Sequence, residues 1–218
     1  VIRIDTKDLP ALPLGDPKSL RQGQPVVALG NPLGLQHSVV SGVVSGFREI
    51  DGRTQMILSG SLCVASYDPR NGKRHWIIDG PTEQFVASMV YNGKYVFATM
   101  GYPGRHVVAI RPEGRGNVTD THIAWRTNRG AGYVPSPVVG GPYLLVVADS
   151  GIASCFDAKT GKRYWMERLP GGHSPSTVSA DGLVYFTSDR GVTTIVRPGK
   201  TFNHPGDGLN HERNKTRL

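Results

Sequence analysis

The residues of this 218-residue chain that could act as a nucleophile or a base are few and far apart. A serine hydrolase needs a serine nucleophile, a histidine that takes its proton and a carboxylate that orients the histidine. His37 falls in a turn before an apolar run, and Ser59 and Ser61 lie in a Gly-Ser stretch. Such contexts are typical of polar turn residues. We therefore predict no catalytic residues.

Metal and cofactor signals are equally weak. His204 and His211 flank Asp207 in a glycine-containing tail, and the chain lacks the HExxH spacing of zinc enzymes. Two cysteines, Cys63 and Cys155, are too few for a disulfide scaffold or a four-cysteine zinc site. No glycine-rich phosphate-binding motif is present in the sequence. We predict neither a metal nor a cofactor.

The composition indicates a turn-rich β protein. Hydrophobic residues make up 38% of the chain, and 28 glycines and 16 prolines are spread along it without a collagen period. The formal charge of +8 permits nucleic acid as a partner, but the bases lie in turns and are not interleaved with aromatic residues. We predict no specific nucleic-acid binding and no transmembrane segment, because no uncharged apolar run is long enough.

An internal repeat organises most of the chain. Residues 67–76 read YDPRNGKRHW, and residues 156–165 read FDAKTGKRYW. Ser88, Ser136 and Ser176 open three further units, at steps of 48 and 40 residues, and each is followed by a turn and an apolar run. A period near 40 with four short strand signals per unit is typical of a β-propeller blade.

The repeat assigns structural roles to a small set of residues. The glycines are predicted to supply positive φ in hairpin turns, and the aspartates to accept turn amide hydrogens. The tryptophans are predicted to pack between neighbouring blades. These repeat positions are Asp68, Gly72, Trp76, Trp125, Asp157, Gly161 and Trp165.

Residues 57–198 resemble the PQQ-like, or quinoprotein-like, β-propeller repeats, whose signature is an apolar strand followed by A-x-D-x-x-T-G-x-x-x-W. Members that bind the quinone have a closed ring, a tryptophan floor, a Ca²⁺ site and often adjacent cysteines. Cys63 and Cys155 are not adjacent. The resemblance therefore implies a propeller, with half a blade, two whole blades and most of a fourth, and no bound quinone.

Residues 1–56 resemble the trypsin-like proteases of the HtrA, or DegP-type, family. The matching features are Gly15-Asp16, Leu20, Gly23, the ALGNP turn of residues 28–32 with Gly34, and the VVSGVVS run of residues 39–45. In that family the catalytic histidine and aspartate precede this stretch, and the serine follows it in a GNSGGP loop. This chain lacks that loop, so the resemblance implies a truncated protease segment without peptidase activity.

We therefore expect an all-β chain, an incomplete PQQ-like propeller of about three blade equivalents after a partial trypsin-like barrel segment. The expected domains are residues 1–56, 57–198 and a disordered basic tail, 199–218. We expect a non-catalytic interaction or scaffold segment of a periplasmic or secreted bacterial protein. It would bind a protein partner through loops and open blade edges, and would self-associate.

Two alternative functions stay open. The first is an inactive HtrA-like serine endopeptidase fragment, and the second is a fragment of a quinoprotein oxidoreductase. The two resemblances meet abruptly near residues 55–61, with both units truncated, whereas natural domains are joined between complete units. A gene fusion, a fragment or a gene-prediction error would explain that meeting point.

Overall fold

The computed structural model describes residues 25–30, 38–43, 48–80, 82–83 and 85–204, and this part of the chain is almost entirely β. Its one helix, α1, is a single turn, Thr119–His122. At the N-terminal end, β1 (Pro25–Gly30) pairs with β2 (Ser38–Val43) in an antiparallel hairpin. The expected all-β fold class is confirmed.

The remaining strands form four sheets that follow one another along the chain as propeller blades, and their strands pair antiparallel except for one short strand in the first sheet. Blade 1 contains β3 (Arg48–Ile50), β4 (Arg53–Gly60), β5 (Cys63–Tyr67) and β6 (Arg74–Asp79). Blade 2 contains β7 (Val90–Tyr91), β8 (Val96–Met100), β9 (His106–Ile110) and, after β10 (Gly116–Asn117), β11 (Ile123–Thr127). Blade 3 contains β12 (Val138–Gly140), β13 (Tyr143–Val147), β14 (Ile152–Asp157) and β15 (Arg163–Arg168). Blade 4 contains β16 (Val178–Ala180), β17 (Leu183–Thr187) and β18 (Thr193–Val196).

The hydrophobic core lies between the blades. Side chains alternate along each strand, so each inner sheet places one apolar face against the blade before it and the other against the blade after it. Phe97 in β8 packs towards blade 3, whereas its neighbours Val96 and Ala98 pack towards blade 1. Three successive apolar clusters join blade 1 to 2, blade 2 to 3 and blade 3 to 4.

The first blade is complete, because residues before 57 supply its inner strands. The boundary expected at residue 56 falls inside β4, whose residues pair continuously with β5 from Met56 to Gly60. β3 joins β4 through Asp51 and Gly52, both with positive φ, which is the two-residue turn that matches strand twist. Residues 48–56 therefore belong to the propeller, although the sequence assigned them to the protease-like segment.

The insertion in the second unit fastens blade 2 to blade 1. It places β10 parallel to β6, with Gly116 opposite Trp76 and Asn117 opposite Ile77. Val118 is buried in the cluster between the two blades. Asn117 Nδ2 donates to Asp79 Oδ2 over 2.9 Å, so the insertion extends the sheet of the preceding blade.

Residues 199–204, which the sequence assigned to a disordered tail, contact Trp165. Trp165 Nε1 donates to the Gly199 carbonyl oxygen over 3.0 Å, and the Phe202 ring packs edge-on against Trp165, with centroids 5.1 Å apart. Residues 199–204 are therefore part of the packed structure. The rest of that tail, residues 205–218, lies outside the described residues.

Candidate functional site

The repeat tryptophans occupy the outermost of the four repeat strands in blades 1, 2 and 3, where each contacts the next blade. The indole of Trp125 donates to the Ala158 carbonyl oxygen over 3.0 Å, and that of Trp165 donates to Gly199. A Cβ at Gly161 would lie 2.6 Å from the Trp125 ring. Glycine at this turn therefore serves two purposes, since it supplies φ of +73° and admits the indole.

Trp76 makes the equivalent contact through an intermediate side chain. Its indole donates to Gln55 Oε1 over 2.9 Å, and Gln55 Nε2 donates to the Pro112 carbonyl oxygen of blade 2 over 3.0 Å. Gln55 Oε1 also accepts from Ser66 Oγ over 2.7 Å. The Gln55 side chain is buried, with every polar atom satisfied, and it relays the inter-blade hydrogen bond. Sequence reasoning missed Gln55 because no repeat motif includes it.

The two repeat aspartates organise their hairpin turns. Asp68 accepts from the Arg70 guanidinium, with 2.7 Å between Nη2 and Oδ2, and this partner lowers the pKa of the carboxyl. Burial by itself would raise the pKa of Asp157, but hydrogen bonds from the Thr160 amide and the Tyr164 hydroxyl outweigh it and lower the pKa. Both carboxylates are therefore held in their charged form.

The serines spaced by 48 and 40 residues form a ladder across the blades. Ser88 N donates to Ser136 Oγ over 2.8 Å, and Ser136 N donates to Ser176 Oγ over 3.3 Å. Each link joins the segment that enters one blade to the corresponding segment of the next. The repeat spacing thus corresponds to a repeated hydrogen bond between blades.

The candidate chemical residues are not assembled into a centre in the described part of the chain. Ser59 and Ser61 are exposed at the end of β4 and in the following turn. His37, Asp207 and His211 lie outside the described residues. Among the residues that the structure describes, no three His, Cys, Asp or Glu side chains are placed to hold a metal ion. The two cysteines are both free, and burial raises the pKa of Cys155 to about 12.

Three exposed apolar residues lie on loops of blades 1 and 2. We define the loop patch as Leu62, Val86 and Tyr102, whose side chains are 52–54% exposed. Backbone hydrogen bonds hold its loops together, from Leu62 N to Thr82 O over 3.1 Å and from Glu83 N to Tyr102 O over 2.7 Å. A contiguous exposed apolar patch on a folded surface commonly marks an interaction site.

The backbone at Leu62 is strained. Leu62 occupies the second position of the β4–β5 turn with φ of +58°, the left-handed region that favours glycine. Holding a non-glycine residue there costs about 1 to 2 kcal/mol. The fold by itself would favour glycine at this site. Strain of this kind, at an exposed apolar residue, is typical of functional sites.

Comparison with known proteins finds relatives of the N-terminal segment. The trypsin-like peptidase domain family matches residues 1–83. A probable periplasmic serine endoprotease, DegP-like, from Halomonas elongata is 51% identical over 45 residues, which are 21% of this chain and 10% of that protein. The mitochondrial serine protease HTRA2 of Bos taurus is 53% identical over 45 residues, 20% of this chain and 10% of that protein. The chain therefore spans about a tenth of the length of these relatives.

Solved structures share the propeller fold. BamB from Moraxella catarrhalis superposes with a TM-score of 0.53 at 16% identity, covering 90% of this chain and 59% of BamB. Quinohemoprotein alcohol dehydrogenase from Comamonas testosteroni has a TM-score of 0.53 at 12% identity, covering 68% of this chain and 32% of the dehydrogenase. Both family resemblances seen in the sequence are confirmed: a protease-like N-terminal segment precedes a PQQ-type propeller fold.

No helix of the described residues combines the length and the apolar character that a membrane-spanning helix needs.

Proposed function

We propose that this chain is a non-catalytic β-propeller module that binds a partner protein in the bacterial periplasm through the loop patch. The observation that carries the proposal is the strained, exposed Leu62, which presents an apolar side chain where the turn itself favours glycine. The motif side chains of the repeat, in contrast, are engaged between blades or within turns.

The periplasmic setting is supported by the DegP-like relatives, which are probable periplasmic serine endoproteases. The formal charge of +8 favours an acidic partner, because complementary charge steers association. An apolar centre with charged surroundings is the usual arrangement of a protein interface.

Site-specific photocross-linking in the bacterium that produces the protein tests this function. A photoreactive residue at Tyr102 is expected to give a discrete protein adduct, whereas one at the exposed Met166 of β15 is not. Leu62→Gly is expected to abolish the Tyr102 adduct while the free energy of unfolding stays equal or rises, since glycine relieves the turn. Undiminished adducts with Leu62→Gly would contradict the proposal.

The competing function is a serine endopeptidase, favoured by the match of residues 1–83. A fluorophosphonate reacts with a serine that a base has activated. Stoichiometric labelling of the purified chain would establish that competing function and overturn the non-catalytic one. We expect no labelling, with active DegP as the positive control.

A further inference from the structure

The outward face of blade 4 presents apolar side chains at register positions that face the next blade in blades 2 and 3. Tyr185 pairs across the sheet with Val178 and Ile195, so the three side chains share one face. The opposite face of β17, with Val184 and Phe186, packs on blade 3. We call the outward surface of Val178, Leu183, Tyr185 and Ile195 the tail face.

In blades 2 and 3, the residues at the register position of Tyr185 contact the next blade. Phe97 in blade 2 and Leu145 in blade 3 hold the same register position, since each pairs with the first residue of its inner strand. Phe97 is fully buried against blade 3, and Leu145 against blade 4. Tyr185 is only partly buried and Val178 is 58% exposed, so the tail face matches the surface that another blade covers.

Blade 1, the first blade along the chain, presents the rear face, which points away from the following blade. Leu58 and Met56 alternate with Ile57, which packs towards blade 2, and therefore belong to the face of blade 1 that points away from blade 2. Leu58 is 47% exposed. We call this the head face. The residues at the register position of Met56 in blades 2 and 3 are Ala98 and Val146. Each is buried against the preceding blade.

We propose that two copies of this chain associate head to tail, so that each tail face covers the head face of the other copy and the two chains close one ring. In every described inter-blade contact, the forward face of one blade meets the rear face of the next, and the proposed contact has the same polarity. The size also fits, since the chain spans 59% of BamB and two copies supply about one ring of blades. A heterologous contact that closes in this way leaves no further end for growth.

This inference is independent of the loop patch and of the proposed function, because it depends on the two end faces of the stack alone. The experiment is sedimentation and light scattering of the full chain across a hundredfold concentration range. The expected species is a dimer of twice 23.6 kDa. A monomer at all concentrations, or a species that keeps growing, would overturn the closed ring.

Two end-face variants distinguish head-to-tail pairing from other dimers. Tyr185→Arg on the tail face and Leu58→Arg on the head face are each expected to raise the dimer dissociation constant at least tenfold, and Met166→Arg is the exposed control. Each variant contains one intact face, so a mixture of the two is expected to form a heterodimer. A Leu58→Arg variant that dimerises as well as the parent would overturn head-to-tail pairing. Circular dichroism melts check folding, and Tyr185→Ser replaces Tyr185→Arg if the arginine variant fails to fold.

Discussion

Gln55 occupies a register position that the other blades fill with Phe97, Leu145 and Tyr185. A buried amide at an otherwise apolar position is stable only when its donors and acceptors are all paired. Gln55 meets this condition with bonds to Trp76, Ser66, Ile50 and Pro112. The polar side chain therefore replaces the direct contact that the tryptophans of blades 2 and 3 make.

We predict that Gln55→Leu lowers the free energy of unfolding by about 2 to 4 kcal/mol, because it leaves the Trp76 indole, the Ser66 hydroxyl and the Pro112 carbonyl without partners. Urea unfolding followed by tryptophan fluorescence measures the change. The control is Thr54→Val on the other face of β4, expected to stay within about 0.5 kcal/mol. A loss no larger than that of the control would show that the relay contributes little.

The outermost strand of each complete blade connects it to its successor. β15 presents Trp165 to blade 4 on one face, while Met166 on the other face is exposed. The Trp165 indole is only 8% exposed, packs against Phe202 and donates to Gly199. The segment after β18 thus provides the acceptor that Ala158 supplies to Trp125 one blade earlier.

We predict that Trp165→Ala costs about 3 to 5 kcal/mol, the range for truncating a large buried aromatic residue. Met166→Ala, its immediate neighbour, is expected to change stability by less than about 0.5 kcal/mol. Thermal denaturation of both variants beside the parent measures the difference. Similar losses in the two variants would contradict the docking of this strand on blade 4.

Successive blades pack face to face, so the stability of the whole molecule depends on each contact between one blade and the next. Carboxylates in turns of blades 1 and 3 are held charged, and the whole chain already has a formal charge of +8. Acid therefore acts on the molecule in two ways. It removes the charge of these turn carboxylates, and it raises the net positive charge whose self-repulsion opposes a compact state.

We predict that stability falls as the pH decreases below about 4. Asp68 and Asp157 have a lowered pKa in the folded chain, so their contribution is present above the ordinary pKa and is lost as the pH falls through the folded value. Asp157→Asn is expected to be less stable than the parent at pH 7 and to approach it at pH 2.5. Urea midpoints across the pH range measure this, and parallel curves for parent and variant would refute it.

The repeat and its tryptophans were predictable, because spacing in the sequence translates into repeated contacts. The serine steps of 48 and 40 residues are the separations of two inter-blade hydrogen bonds. The start of blade 1 was not predictable, since residues 48–56 lack the repeat motif and resemble a protease strand. The loop patch also escaped prediction, because a positive φ at Leu62 has no signature in the sequence. The parallel strand β10 was not predictable either, because its two residues carry no strand signal in the sequence.

The two sequence resemblances meet within β4, and the alternation of side chains along a strand imposes a parity rule on any insertion or deletion there. Deleting or adding one residue between Arg53 and Gly60 would exchange the faces of every side chain beyond the change. Ile57 would then turn outwards and Leu58 inwards, and Gln55 would lose its alignment with Trp76. Only insertions or deletions of an even number of residues keep both ends of the strand in phase. Insertions and deletions of odd length within β4 would therefore be expected to misplace the first blade.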